Sequence, residues 1–440
     1  MTQTALPPIA WLKTATLLPA RAPLPAGGAP RASTPAPAYD VVLRNGLIYD
    51  GSGAPPVRGD IALRGDRIAA LGDLSSTSAA RVIDLEGLAV APGFINVLSW
   101  ATESLLVDGR ALSDLAQGVT LEVFGEGWSM GPLNQRMREE ALAAQGDLRY
   151  EIPWTTLGGY LDHLERRGVS VNVASFVGAT TVRIHELGYE NRPPTPEELA
   201  RMQALVRQAM EEGALGLGTS LIYPPAFFAD TAELVALAKV AGESGGTYIS
   251  HMRSEGGRLL EAIDELITIS REAGLPAQIY HLKAAGQPNW GKLEAAIAKV
   301  EAARAEGLEI SADMYNYTAG ATGLAATLPP WVQEGGTEAF LARLRDPAIR
   351  ARLRREMTTP SDAWENFYLG AGPDGILLAA FKQAALKPLT GKRLSEVAAE
   401  RGVTPEDAVF DLILENGDNP GAVFFLMSED NVRRQLRLPW

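Results

Sequence analysis

The spacing of apolar positions changes character twice along the chain. Over residues 39–90 they fall in short runs of β-forming residues: 41–44, 47–49, 60–63, 67–71 and 82–85. Asn45-Gly46 between the first two runs reads as a hairpin turn. The segment is therefore a small β lobe, half of a sandwich that needs a partner sheet for its second face. From residue 91 the unit becomes an apolar run, an amphipathic stretch closed by glycine, then another apolar run. That junction recurs at Gly118, Gly168, Gly213, Gly245-Gly246, Gly274 and Gly307. Glycine is favoured just past a helix end. With the run 94–98 in front, about seven of the eight strands of a (β/α)8 TIM-type barrel are predicted. After Tyr317 the rhythm stops. Residues 319–333 read as loop, 336–357 as charged helix, 360–388 as irregular, and 391–416 as two short helices. The expected organisation is a Pro/Ala-rich leader over 1–38, the β lobe over 39–90, and the barrel over 91–440 with a helical insertion around 325–420.

Composition narrows the function classes. The 440 residues carry a net charge of −13, which argues against nucleic acid or an anionic membrane surface as partner. No run reaches the length of a membrane-spanning helix. There is no cysteine, so disulfides, thiolate ligands and a cysteine nucleophile are excluded. The leader cannot build a packed core and is expected to be disordered. Lys13 interrupts its apolar run at 9–18 and prolines flank it, which argues against an export signal. A cytoplasmic location is expected.

Of the four histidines, two stand in matching contexts. His251 closes Tyr-Ile-Ser-His and His281 closes Gln-Ile-Tyr-His. Each is followed by a basic residue and then a glycine. Between them Leu259, Leu260, Ile263, Leu266 and Ile267 recur at helical spacing, so 248–286 reads strand–helix–strand. Both imidazoles then sit at carboxyl ends of adjacent parallel strands, where barrel active sites are built, and the pair points to a metal. Tyr223 and Phe227 follow the fourth strand, where they line an acyl pocket or fill core. Tyr223 is taken as substrate-binding. Arg253 and Glu255 read as a local ion pair. Glu122 lies mid-strand and needs a buried partner, expected to be Lys or Arg.

The blocks Asp40-Val-Val-Leu-Arg-Asn-Gly-Leu-Ile-Tyr-Asp-Gly-Ser-Gly, Ala91-Pro-Gly-Phe-Ile-Asn, Tyr248-Ile-Ser-His-Met-Arg-Ser-Glu-Gly, Gln278-Ile-Tyr-His-Leu-Lys-Ala-Ala-Gly and Ser311-Ala-Asp-Met-Tyr-Asn-Tyr-Thr-Ala-Gly resemble the D-aminoacylase (N-acyl-D-amino-acid deacylase) branch of the amidohydrolase superfamily. The resemblance runs from about Tyr39 to Trp440. It implies a metal-bearing barrel with a small β lobe, and hydrolysis of an N-acyl-D-amino acid to a carboxylate and a D-amino acid. It places the family's substrate-binding lysine at Lys283 and a substrate-binding tyrosine at Tyr315.

Three departures shape the expected chemistry. The superfamily's strand-one His-x-His is absent, because residues 96–100 read Asn-Val-Leu-Ser-Trp. No bridging lysine stands in 215–223. Glu126 falls at or beside the position of the family's cysteine ligand. One zinc ion on Glu126, His251 and His281 is therefore expected, a two-histidine, one-carboxylate set. Asp313 is expected behind a histidine. The family's acid/base aspartate would fall beyond Trp440. The chain thus reads as cut short, and little turnover is expected of it as written. A cyclic-amide hydrolase of hydantoinase or dihydropyrimidinase type is a weaker reading, because those relatives keep two metals. A catalytically dead ligand-binding barrel is another.

Overall fold

The computed structural model describes residues 37–440, in two compact units that divide between Phe94 and Ile95. The leader expected over 1–38 lies, but for its last two residues, outside the described residues. In the first unit β1 (Tyr39–Ile48), β2 (Val57–Arg64), β3 (Arg67–Gly72), β4 (Ala79–Asp84) and β5 (Ala89–Val90) form one sheet. Its order is β3-β2-β1-β4, with β5 also on β1. The hairpin expected at Asn45-Gly46 is a bulge instead. β1 runs antiparallel to β2 on both sides of these residues, with the register shifting between Leu43 and Gly46. Asn45 takes φ 58°, its N–H donates to Asp60 Oδ1 at 2.9 Å, and its amide donates to Asp84 at 3.0 Å. The left-handed conformation that makes Asn-Gly a turn signal also serves a bulge when the strand continues in line.

β6 (Phe94–Asn96), which starts at the last residue of the first unit, forms a three-stranded sheet with β7 (Val119–Phe124) and β8 (Asn172–Ser175), β7 being central. β9 (Val177–Gly178), β10 (Gly216–Ser220), β11 (Thr247–His251), β12 (Ala277–Ile279) and β13 (Ile310–Ala312) pair in parallel, each with the next. Phe176 alone separates β8 from β9, and its N–H donates to the Phe124 carbonyl at 2.8 Å. Helices separate these strands. Leu259–Ala273 buries Leu259, Ile263, Leu266 and Ile267 and ends at Gly274 in the left-handed region, as its periodicity demands. Neighbouring strand residues go to opposite faces. Tyr248 joins the large core with the helices, whereas Ile249 joins a separate cluster with Val123, Phe176 and Tyr280.

Beyond β13 comes a three-stranded antiparallel sheet of β14 (Gly320–Gly323), β15 (Ile376–Ala380) and β16 (Gly421–Phe424), with β16 central. Helices Gly336–Arg345, Pro347–Thr358, Leu394–Arg401 and Pro405–Asn416 belong to the same region and share its core. The stretches expected to be loop and irregular thus hold two strands. Such short strands are defined by distant partners rather than by their own pattern. Trp440 lies at the edge of β13, where its carbonyl accepts the Ala312 N–H at 3.1 Å.

One crossing positions the site. Gly125-Glu126-Gly127 leaves β7 and runs against β9 and β10 at backbone distance. A Cβ on Gly178 would lie 2.2 Å from the Gly127 oxygen, and one on Gly218 would lie 2.0 Å from the Gly125 oxygen. Only glycine allows this approach, and it carries Glu126 toward β11. Gly218→Ala is expected to cost roughly 1–3 kcal/mol by forcing the strands apart. Gly146→Ala, whose new methyl would meet nothing within 4 Å, should stay within about 0.5 kcal/mol of the parent. Urea unfolding of both variants measures the difference.

Candidate metal centre

His251 is the last residue of β11, and His281 lies two residues past β12. His281 takes φ 36°, unusual for a side-chain-bearing residue. Asp313 holds it there: its Oδ1 accepts the His281 N–H at 2.7 Å, and its carbonyl accepts the Leu282 N–H at 2.9 Å. The aspartate therefore stands behind a histidine, but it grips the backbone rather than the ring. The two rings meet edge to face with centroids 4.5 Å apart.

Glu126 closes the set. Its Oε1 lies 2.9 Å from His251 Nδ1 and 3.1 Å from His281 Nε2, and all three side chains are buried. Trp100 Nε1 donates to the other oxygen at 3.1 Å. Burial pushes the Glu126 carboxyl up, but the two histidines outweigh it and hold it at about 2. Burial and Lys283 push His281 down, yet Glu255 and Glu126 more than reverse them and raise it to about 9. His251 is lowered, chiefly by burial. Its Nε2 is buried without a hydrogen-bond partner. One carboxylate oxygen facing two imidazole nitrogens suits a divalent cation. The donor types are those of a zinc site. Among the described residues, Glu126, His251 and His281 form a group whose ligand atoms all lie within 4.8 Å of one another.

Lys283 lies on the far edge of His281. Its Nζ is 2.6 Å from Glu255 Oε1 and 2.7 Å from His281 Nδ1, and 5.4 Å from the centre of the Tyr315 ring. Burial lowers the lysine, but Glu255 more than compensates and leaves it raised. Burial raises the Tyr315 phenol. Tyr223 stands edge-on to His251 at 5.2 Å. Phe227 packs on Phe228 instead.

Two expected pairings change. Arg253 pairs with Glu265 at 2.9 Å, and Glu255 turns inward to Lys283 and His281. The inward lysine offers Glu255 a buried cation, whereas Arg253 stays half-exposed. Glu122 accepts from the Ser99 hydroxyl at 2.6 Å rather than from Lys or Arg, and burial raises its pKa. The serine hydroxyl thus stands where a cation was expected. His163 packs on Trp154 and His185 pairs with Glu186, so neither joins the centre.

Sequence reasoning missed Glu365 and Trp100. Glu365 Oε2 accepts the Glu255 N–H at 2.7 Å across 110 residues. Burial and the Glu255 charge push Glu365 up to about 8. Glu255 had a signal in its spacing of four residues from His251. Glu365 and Trp100 had none.

No family model matches the chain. It is 34% identical over 405 residues to the D-aminoacylase of Alcaligenes xylosoxydans xylosoxydans, covering 90% of this chain and 72% of that protein. A solved D-aminoacylase, whose structure defines a novel subset of amidohydrolases, superposes with a TM-score of 0.73 at 33% identity. It matches 90% of this chain and 74% of its own. The N-acyl-D-glutamate deacylase of Bordetella bronchiseptica was solved with zinc and a phosphonate mimic of the tetrahedral intermediate. It superposes with a TM-score of 0.73 at 28% identity, covering 91% of this chain and 74% of its own. The likeness covers nine tenths of this chain, and the chain belongs to the D-aminoacylase family of amidohydrolases, hydrolases of carbon–nitrogen bonds other than peptide bonds.

Proposed function

We propose that this chain is a zinc-dependent hydrolase of N-acyl-D-amino acids, releasing a carboxylate and the free D-amino acid. One zinc ion would be held by Glu126, His251 and His281. The observation that carries the reading is the Glu126 carboxylate set between two buried imidazoles, with a lysine ammonium on the outer edge of one of them. The order of strands from β6 to β13 supports a (β/α)8 barrel over 91–440, with a small β lobe over 39–90 and an insertion around 325–420.

Zinc, when bound, polarises the scissile carbonyl and makes water a nucleophile near neutral pH. The chain's own residues do the rest. Lys283 stays charged because Glu255 offsets its burial, and it offers an ammonium to the substrate carboxylate. Tyr315 keeps its proton and donates a second hydrogen bond beside it. Tyr223 walls the side of the site next to His251. Asp313 fixes the strained turn that aims His281. The partner this implies is a small molecule. Among the described residues no helix is long and apolar enough to cross a membrane.

Elemental analysis of folded protein is expected to find close to one zinc per chain. His251→Ala and His281→Ala should lose it while retaining their circular dichroism. Two zinc ions per chain would favour a cyclic-amide hydrolase, and none would remove the zinc reading. Calorimetry on the zinc-loaded protein should show N-acetyl-D-methionine binding in preference to its L enantiomer. Tyr315→Phe should weaken that binding by roughly tenfold or more, as loss of a hydrogen bond to a charged group does. Equal affinity for the two enantiomers would argue against the D-amino-acid assignment.

A further inference from the structure

Two cavities flank the centre, and they differ greatly in size. The one lined by Tyr223, Ile222, Thr322 and Glu365 holds ≈ 60 Å³. The other begins at Glu126 and Trp100 and holds ≈ 820 Å³. The larger volume lies high in the range of ~300–1,000 Å³ for pockets that enclose a whole drug-sized ligand. A formyl or acetyl group would leave nearly all of it to water. Its walls include Trp100, Trp128, Met130, Leu133, Met137 and Tyr150. Trp100 is 61% exposed and Trp128 39% exposed, so two indoles present apolar surface to the space. Aromatic and thioether walls of this kind favour apolar occupants of variable shape.

The order of groups across the site decides which arm of a substrate enters. His281 presents Nδ1 to Lys283 and Nε2 to Glu126. Glu126 is bonded in turn to the Trp100 indole, and both border the large cavity. Lysine, imidazole, carboxylate and indole therefore follow one another in that order. A ligand whose carboxylate meets Lys283 and whose amide meets the centre at Glu126 must send its acyl arm past Trp100. The smaller cavity, on the Tyr223 side, has no room for a bulky group.

We infer that the cavity between Trp100, Trp128 and Met137 is an acyl subsite, and that the acyl group it takes is large and apolar, of the medium-chain fatty acyl type. The assignment rests on the proposed deacylase reading and adds the acyl class to it. Each methylene fully transferred from water is worth about a fourfold gain in affinity.

Calorimetry with N-acetyl-, N-butanoyl-, N-hexanoyl- and N-octanoyl-D-methionine on the zinc-loaded protein tests it. The octanoyl compound is expected to bind at least about a hundredfold tighter than the acetyl one. Trp128→Ala and Met137→Ala, checked for native circular dichroism, should each reduce that ratio several-fold. The L enantiomer of the octanoyl compound should bind more weakly, which separates the subsite from non-specific adsorption of an alkyl chain. Affinity that does not change from acetyl to octanoyl, with the acetyl compound bound, overturns the acyl subsite and leaves the deacylase reading standing. A gain that is the same in both enantiomers and both variants also overturns the subsite. Failure of every N-acyl-D-amino acid to bind overturns both.

Discussion

Everything at the centre depends on one buried carboxylate shared by two imidazoles. Glu126 is held at about 2 in a place where burial alone would raise it. A single charge buried there would be costly, and it is tolerated because two histidine nitrogens lie within 3.1 Å of the same oxygen. The arrangement needs the loop carrying Glu126 to lie almost in contact with the strand backbones. The glycines at 178 and 218 make the space. The geometry of the candidate centre and the backbone packing are thus one constraint.

Behind the histidines the same logic extends outward. Glu255 stays ionised against burial because Lys283 and the two imidazoles surround it. Glu365, next in line, is raised to about 8 by burial first and then by the Glu255 charge, since a second carboxylate beside a charged one is resisted. Glu255 is the one anion between Lys283 and His281 on this wall, and it offsets the burial of both cations. The lysine is thereby kept cationic and aimed. This side of the centre is polar and crowded, whereas the side beyond Trp100 is roomy and largely apolar. That asymmetry gives a ligand a direction.

Much of this was legible in the chain. The repeated glycine-then-apolar junction announces parallel strands separated by helices, and the observed pairing from β9 to β13 follows that sequence order. The placing of His251 and His281 near adjacent strand ends follows from the same local rule. Asn45-Gly46 shows the limit of such rules. Its conformational preference is local, but whether it makes a turn or a bulge depends on how the flanking segments pair. The three-stranded sheet of β14, β15 and β16 fails to show for a related reason, since its strands are four or five residues long and recruit partners far along the chain.

By itself the sequence determined the periodicities and the histidine pair, because each is a property of residue type and spacing within a few turns of chain, whereas Glu126 was marked as a ligand by the family resemblance. Tertiary structure alone decided which carboxylates carry charge. Glu255 faces Lys283 rather than Arg253, Glu122 takes a serine hydroxyl rather than a cation, and Glu365 comes from 110 residues away to abut Glu255. It also decided that Trp100 reaches Glu126 and that a large cavity opens beside them. Charge state and cavity volume depend on what surrounds a group in space, and spacing along the chain does not encode those neighbours.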